Sequence, residues 1–216
     1  MNMTIPTKQY GRQAALFGLA AAGFYLLMIF GTLAHIETVS GLRPFDMRPG
    51  GYSAELANAL INELGPSGRR YYLTRQIPLD LVYPSLMALT LVSLLKWLGS
   101  RGISQSLVRI GTWFSIAAAI VDYLENAGIC FMILSWPETS ANTVLAASVA
   151  SIAKSGLTTA AVLIVLLGVG FWAFKRIRNN ALSMSADGSI SFPKPDVRRS
   201  VAHVCLEQPS QNPGTR

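Results

Sequence analysis

Four stretches of this chain are too long and too apolar to belong to an ordinary soluble core. Residues 14–34, 108–136 and 141–174 each reach or exceed the ~20 residues of helix that cross a ~30 Å hydrocarbon layer. Residues 77–97 do so with a single carboxylate, Asp80, near the start. Composition agrees with this reading. The 216 residues are 51% hydrophobic and only 13% charged, against roughly 25% charged in soluble domains, and mean hydropathy is +0.39. The expected fold is all-α, a four-helix transmembrane bundle with helices at about 14–35, 77–98, 107–136 and 141–174. Four spans leave no material for a soluble domain. Residues 1–13 read as a polar lead, 14–174 as one membrane domain, and 175–216, rich in Ser, Pro and Asn, as a disordered cytoplasmic tail.

The formal net charge of +7 would suit nucleic acid, but its distribution points to a lipid bilayer as the partner instead. Lys8 and Arg12 precede the first helix, Lys96, Arg101 and Arg109 join the second to the third, and Lys175, Arg176 and Arg178 follow the fourth. No Lys or Arg lies between the third and fourth. Basic residues collect on cytoplasmic segments, so both termini are expected in the cytoplasm and the protein in the inner (cytoplasmic) membrane. The loop at 36–76 holds five Arg, with Glu37, Asp46, Glu55 and Glu63 beside them. Lys8, Arg12 and the small-residue run at Thr32–Ala34 imitate a signal peptide. The apolar run of about 20 residues, however, exceeds the ~7–15 of a signal core. Small residues Ala14, Gly18 and Ala22 recur every fourth position, the spacing that lets membrane helices approach closely. A retained helix is expected.

The long loop carries "LRPFDMRPGGYS" at 42–53, which reads as turns. Ser53 is placed to cap a short amphipathic helix, 53–64, with Leu56, Leu60 and Leu64 on one stripe and Gly65–Pro66 as its stop. Residues 68–78 read as a return to the membrane with Arg69, Arg70, Tyr71 and Tyr72 at headgroup level. The second helix is expected to begin near Pro78. Pro84 should kink it or leave a carbonyl unpaired.

Ionisable residues inside a span normally face the bundle interior. On the third helix Ser115, Ala118, Asp122, Glu125 or Asn126, and Ile129 follow steps of three and four, so they share a face. Ala147, Ser151, Lys154, Thr158 and Ala161 form a matching stripe on the fourth. Asp80 and Tyr83 share a face of the second. At 1.5 Å rise per residue, Asp80, Asp122, Glu125 and Lys154 all fall in the middle or outer half of the bilayer. The candidate ligand-binding set is therefore Asp80, Tyr83, Asp122, Glu125, Asn126 and Lys154. Three acids against one lysine do not balance. Either an acid stays protonated, or Arg69, Arg70 or Arg75 dips in, or a ligand brings positive charge. Cys130 and Cys205 form no metal or disulfide pattern. The only histidines, His35 and His203, lie far apart in sequence, so no metal and no cofactor is expected.

The combination of "RPFDMRPGGYS" in the first loop, "DLVYP" at 80–84 and "DYLEN" at 122–126 resembles a family of uncharacterised bacterial four-helix integral membrane proteins that carries no assigned activity. The similarity covers about 32–126 and implies fold and residue choice, not chemistry. By architecture alone the chain is also similar to sterol-isomerase-like four-helix proteins of the emopamil-binding type.

Three functions fit these residues. The first is binding or transport of a cation, proton or small ligand, for which so narrow a bundle calls for a homo-oligomer or larger membrane complex. The second is an accessory or structural subunit whose buried charges fix helix register. The third is an intramembrane enzyme on a lipid-like substrate, with Glu125 or Asp122 as acid or base. The absence of Ser–His, His–Glu–His and Cys–His arrangements weighs against hydrolase and metal chemistry and leaves proton transfer open.

Overall fold

The computed structural model describes the backbone of residues 7–187 and the side chains of residues 8–180. It is built from helices: α1 (Thr7–Leu27), a π-helical turn at Met28–Leu33, α2 (Ala34–Ser40), a 3-10 turn at Phe45–Met47, α3 (Ala54–Tyr71), a second π-helical turn at Tyr72–Gln76, then α4 (Ile77–Gly99), α5 (Gln105–Leu134) and α6 (Ala141–Asp187). Four continuous runs are long and apolar enough to cross a membrane: Lys8–Ser40, Ala54–Gly99, Gln105–Leu134 and Ala141–Asn180. Large apolar side chains stand outward from them, among them Phe30 at 78% and Leu167 at 73% exposure. Such surfaces are unfavourable in water and at home in acyl chains. This is a multi-pass membrane protein with an all-α four-helix bundle.

The short loop helix starts where its cap predicts, with Ser53 Oγ accepting from the Leu56 N–H at 3.3 Å. It breaks at Gly65, whose φ of 59° and ψ of −178° lie outside helical values. Glycine takes that backbone without a Cβ penalty, and Pro66 then opens the next helix where its missing N–H costs nothing. Ala57, Leu60, Ile61 and Leu64 are buried, whereas Leu56 turns outward. The expected start of the second helix near Pro78 is corrected. Residues 68–78 are helical, and the second membrane helix begins about a dozen residues before Pro78. Nothing in "RRYYLTRQ" breaks a helix, and the two π turns lock across the bundle. Thr32 Oγ donates to Gln76 Oε1 at 2.5 Å, and Gln76 Nε2 donates to Met28 Sδ at 3.7 Å. The start of the tail also differs from expectation, since α6 continues through 175–187. That stretch holds neither proline nor glycine, and Gly188 is the first breaker. The expectation of disorder at 188–216 lies outside the described residues.

α1 packs along α4, with Gly11 against Trp97 and Gly18 against Thr90. α5 and α6 meet so closely at Gly128 and Ala147 that a Cβ on Gly128 would lie 2.8 Å from that of Ala147. This is the small-residue contact by which membrane helices associate. Two apolar cores result. One, at the end carrying the long loop, gathers Phe45, Leu60, Tyr72, Ile77, Ile129 and Val144. The other, at the opposite end, gathers Leu91, Leu95, Leu98, Val108, Ala161 and Val165. Between them, on α4, α5 and α6 alike, lies a polar layer.

Candidate functional site, a buried carboxylate cluster

Lys154 of α6 is the centre of the layer. Its Nζ lies 2.8 Å from Asp122 Oδ1 and also pairs with Glu125 Oε2. Ser151, one turn before Lys154, donates its hydroxyl to Glu125 Oε1. Asp122 and Glu125 are three apart on α5, as Ser151 and Lys154 are on α6, so two matching helical faces meet. Glu125 has 0% of its surface exposed.

Asn126 does something different from its neighbour. Pro84 has no N–H to give to the carbonyl of Asp80, four residues earlier. Asn126 Nδ2 supplies the missing donor at 3.3 Å. The next carbonyl, Leu81, accepts from the Tyr123 hydroxyl at 3.0 Å, and that hydroxyl also bonds Ser85 Oγ at 2.5 Å. The "DYLEN" segment thus mends the backbone that "DLVYP" breaks. Asn126 is a backbone partner, and its own Oδ1 is buried without a hydrogen bond.

The Asp80 side chain, 4% exposed, makes no ion pair with Lys154. It faces a residue not among the sequence candidates. Asp46, on the 3-10 turn of the long loop, lies with its carboxyl against that of Asp80. The turn is seated by Phe45, which is buried against Tyr52 and Tyr72 with ring centroids 4.8 and 6.0 Å apart. Tyr72 donates its hydroxyl to Asp46 Oδ2. Asp46 Oδ1 and Asp80 Oδ2 are buried with no hydrogen-bond partner. In the sequence Asp46 looked like a counter-charge for loop arginines. Its one distinguishing mark is the apolar Phe45 before it, between two proline turns.

Tyr83 sits at the edge. Its ring pairs with Tyr25 of α1 at 5.7 Å. With Ser115, Asp122 and Thr158 it lines a cavity of about 40 Å³. That is room for a water or two. None of the loop arginines serves as the missing cation in the pairs observed. Arg69 donates to the Ile61 carbonyl at 3.0 Å and lies over the Trp136 ring at 5.7 Å, and both ion pairs of the cluster go to Lys154. Among the described residues, no group of three or more His, Cys, Asp or Glu side chains is placed to hold a metal ion.

The loop closes over the cluster through Tyr52, whose N–H donates to Ser148 Oγ at 2.8 Å. Burial, reinforced by the charge of Glu125, holds its phenol above the ordinary value. Gly51 makes this seat. Its φ is +79°, and a Cβ there would lie 2.6 Å from Ser148 Oγ. Gly51→Ala is expected to destabilise the protein by about 1–2 kcal/mol through strain alone, read as a lower thermal midpoint in detergent. An unchanged midpoint would show that the loop seat contributes nothing.

Comparison with protein-family models, with curated proteins and with solved structures finds no match to this chain.

Proposed function

We propose that this chain is an inner-membrane protein, with both termini in the cytoplasm, whose polar layer lies in the outer half of the bilayer and binds protons, for transport or for proton-linked work. The observation that carries this reading is an acid excess in a space too small for anything larger. Asp80 and Glu125, both buried, and Asp46 and Asp122, both half-buried, gather around a single amine, Lys154. Ionised together, four carboxylates and one ammonium would leave three uncompensated negative charges largely removed from water, a costly state. Protons relieve it without needing volume. The adjoining cavity of about 40 Å³ admits water and excludes a lipid or organic ion. Interacting acids of this kind titrate as a group.

The same geometry weighs against the enzyme reading, because Glu125 is fully enclosed by Ser151 and Lys154 and has no face left for a substrate. A purely structural network would be served by balanced charge, and this one is unbalanced.

The test is infrared difference spectroscopy of the purified protein in lipid, stepped through pH. A carboxylic C=O band that titrates and changes in Asp80→Asn or Glu125→Gln is expected. A spectrum with no titrating carboxyl band would remove the proposal and leave the accessory-subunit reading in its place.

A further inference from the structure

The long loop reaches the bundle through an unusual contact. Phe45 and Tyr52 seat it by apolar packing, yet between them the chain presents a carboxylate, Asp46, to another carboxylate, Asp80. Two negative charges at contact would repel strongly in a dry setting. Tyr72 satisfies only the Oδ2 side of Asp46. The oxygens left over, Asp46 Oδ1 and Asp80 Oδ2, are both buried and both without a donor. Asp80 is more than nine-tenths buried, and its orphan oxygen is an independent sign that something is held there. A single proton answers both orphans at once, because one carboxyl then donates and the other accepts.

We propose that Asp46 and Asp80 form a proton-binding site of their own, and that this proton latches the loop at 42–53 over the Lys154 cluster. The idea deepens the proton reading above and rests on it. When the proton leaves to the aqueous side, the two carboxylates face one another with no cation in contact. Lys154 is already committed to Asp122 and Glu125. Arg48 donates its Nε to the Arg43 carbonyl at 3.0 Å within the loop. The other titratable groups around the pair are the carboxyls of Asp122 and Glu125 and the phenols of Tyr52, Tyr72 and Tyr83. The cheapest relief is for the loop to swing Asp46 into water. That uncovers Tyr52, Ser148 and the cluster beneath. The latch thus ties access to the site to the proton concentration outside.

Hydrogen exchange on the full chain in lipid nanodiscs tests this, read at the amides the loop protects: Met47 to the Pro44 carbonyl, Arg48 to that of Phe45, Gly51 to that of Arg48, and Tyr52 to Ser148 Oγ. After correction for intrinsic exchange, opening linked to loss of one proton should grow by up to about tenfold per pH unit as pH rises above the range where exposed carboxyls ionise, and level off once the shut pair has lost its proton. Asp46→Asn keeps a hydrogen-bond donor and removes the repulsion, so its opening should be independent of pH and the loop should stay shut. Asp80→Asn should flatten the profile from the other side, which covers the case where one variant fails to fold. Opening in the unaltered protein that ignores pH, or an Asp46→Asn variant that keeps the tenfold slope, overturns the latch. If the infrared carboxyl band titrates while the loop stays shut, the latch alone is wrong. If the band does not titrate, the proton site beneath it is wrong as well.

Discussion

Lys154→Met is expected to be the most damaging single substitution in the membrane region. The change keeps most of the side-chain volume and removes the one cation that both Asp122 and Glu125 touch. Stripping one partner from a buried pair strands the other charge, at a cost of about 3–5 kcal/mol. Whole-protein stabilities are about 5–15 kcal/mol, so a large share of the stability should be lost. Replacing the complete set behaves differently. Asp122→Asn and Glu125→Gln together with Lys154→Met leave neutral groups of the same shape, which often matches the ionised original. Thermal midpoints of the single and triple variants in one detergent provide the comparison. A single variant as stable as the unaltered chain would mean that Lys154 does not neutralise these acids.

How far the site was readable from sequence depends on which residue is considered. Asp122, Glu125 and Lys154 announced themselves, because any charge inside a span is conspicuous and steps of three and four fix a common face. The ambiguity between Glu125 and Asn126 was real. Adjacent positions lie ~100° apart around a helix of 3.6 residues per turn. The structure uses both, one toward α6 and the other toward α4. Asp46 was not legible. An acid in a polar loop is ordinary, and its burial depends on Phe45 docking among side chains from Tyr52 and Tyr72, a tertiary event with no local period. Spacing alone puts Tyr83 on the face of Asp80; its ring pairs with Tyr25 on α1, and it lines the small cavity beside Asp122. The helical return at 68–78 was missed because paired Arg and Tyr suit an interfacial belt as well as a helix. What decides between them is the Thr32–Gln76 lock across the bundle. The four spans themselves were plain, since length and hydropathy are one-dimensional properties.

Pro84 and Asn126 should prove to be one device, and a double-mutant cycle exposes it. Asn126→Leu keeps the shape and removes the donor that serves the Asp80 carbonyl. A buried carbonyl left unpaired costs about 1–3 kcal/mol. The lower part of that range is expected here, because Asn126 Oδ1 is itself unpartnered and its loss offsets some of the penalty. Pro84→Ala alone should be nearly neutral, since it gives residue 84 an N–H aimed at a carbonyl that already has a partner. With Pro84→Ala in place, the helix satisfies the Asp80 carbonyl by its own i→i−4 bond, and Asn126→Leu should lose most of its effect. Coupling of about 1 kcal/mol or more between the two positions, read from thermal midpoints, is the expected result. Additive effects would mean that the contact at 3.3 Å carries no energy, and that Asn126 is retained for its carboxamide oxygen. That oxygen would then belong with Asp80 in the polar layer, as the sequence suggests, and the tie from α5 to the α4 backbone beside Pro84 would fall to the Tyr123 hydroxyl on the Leu81 carbonyl.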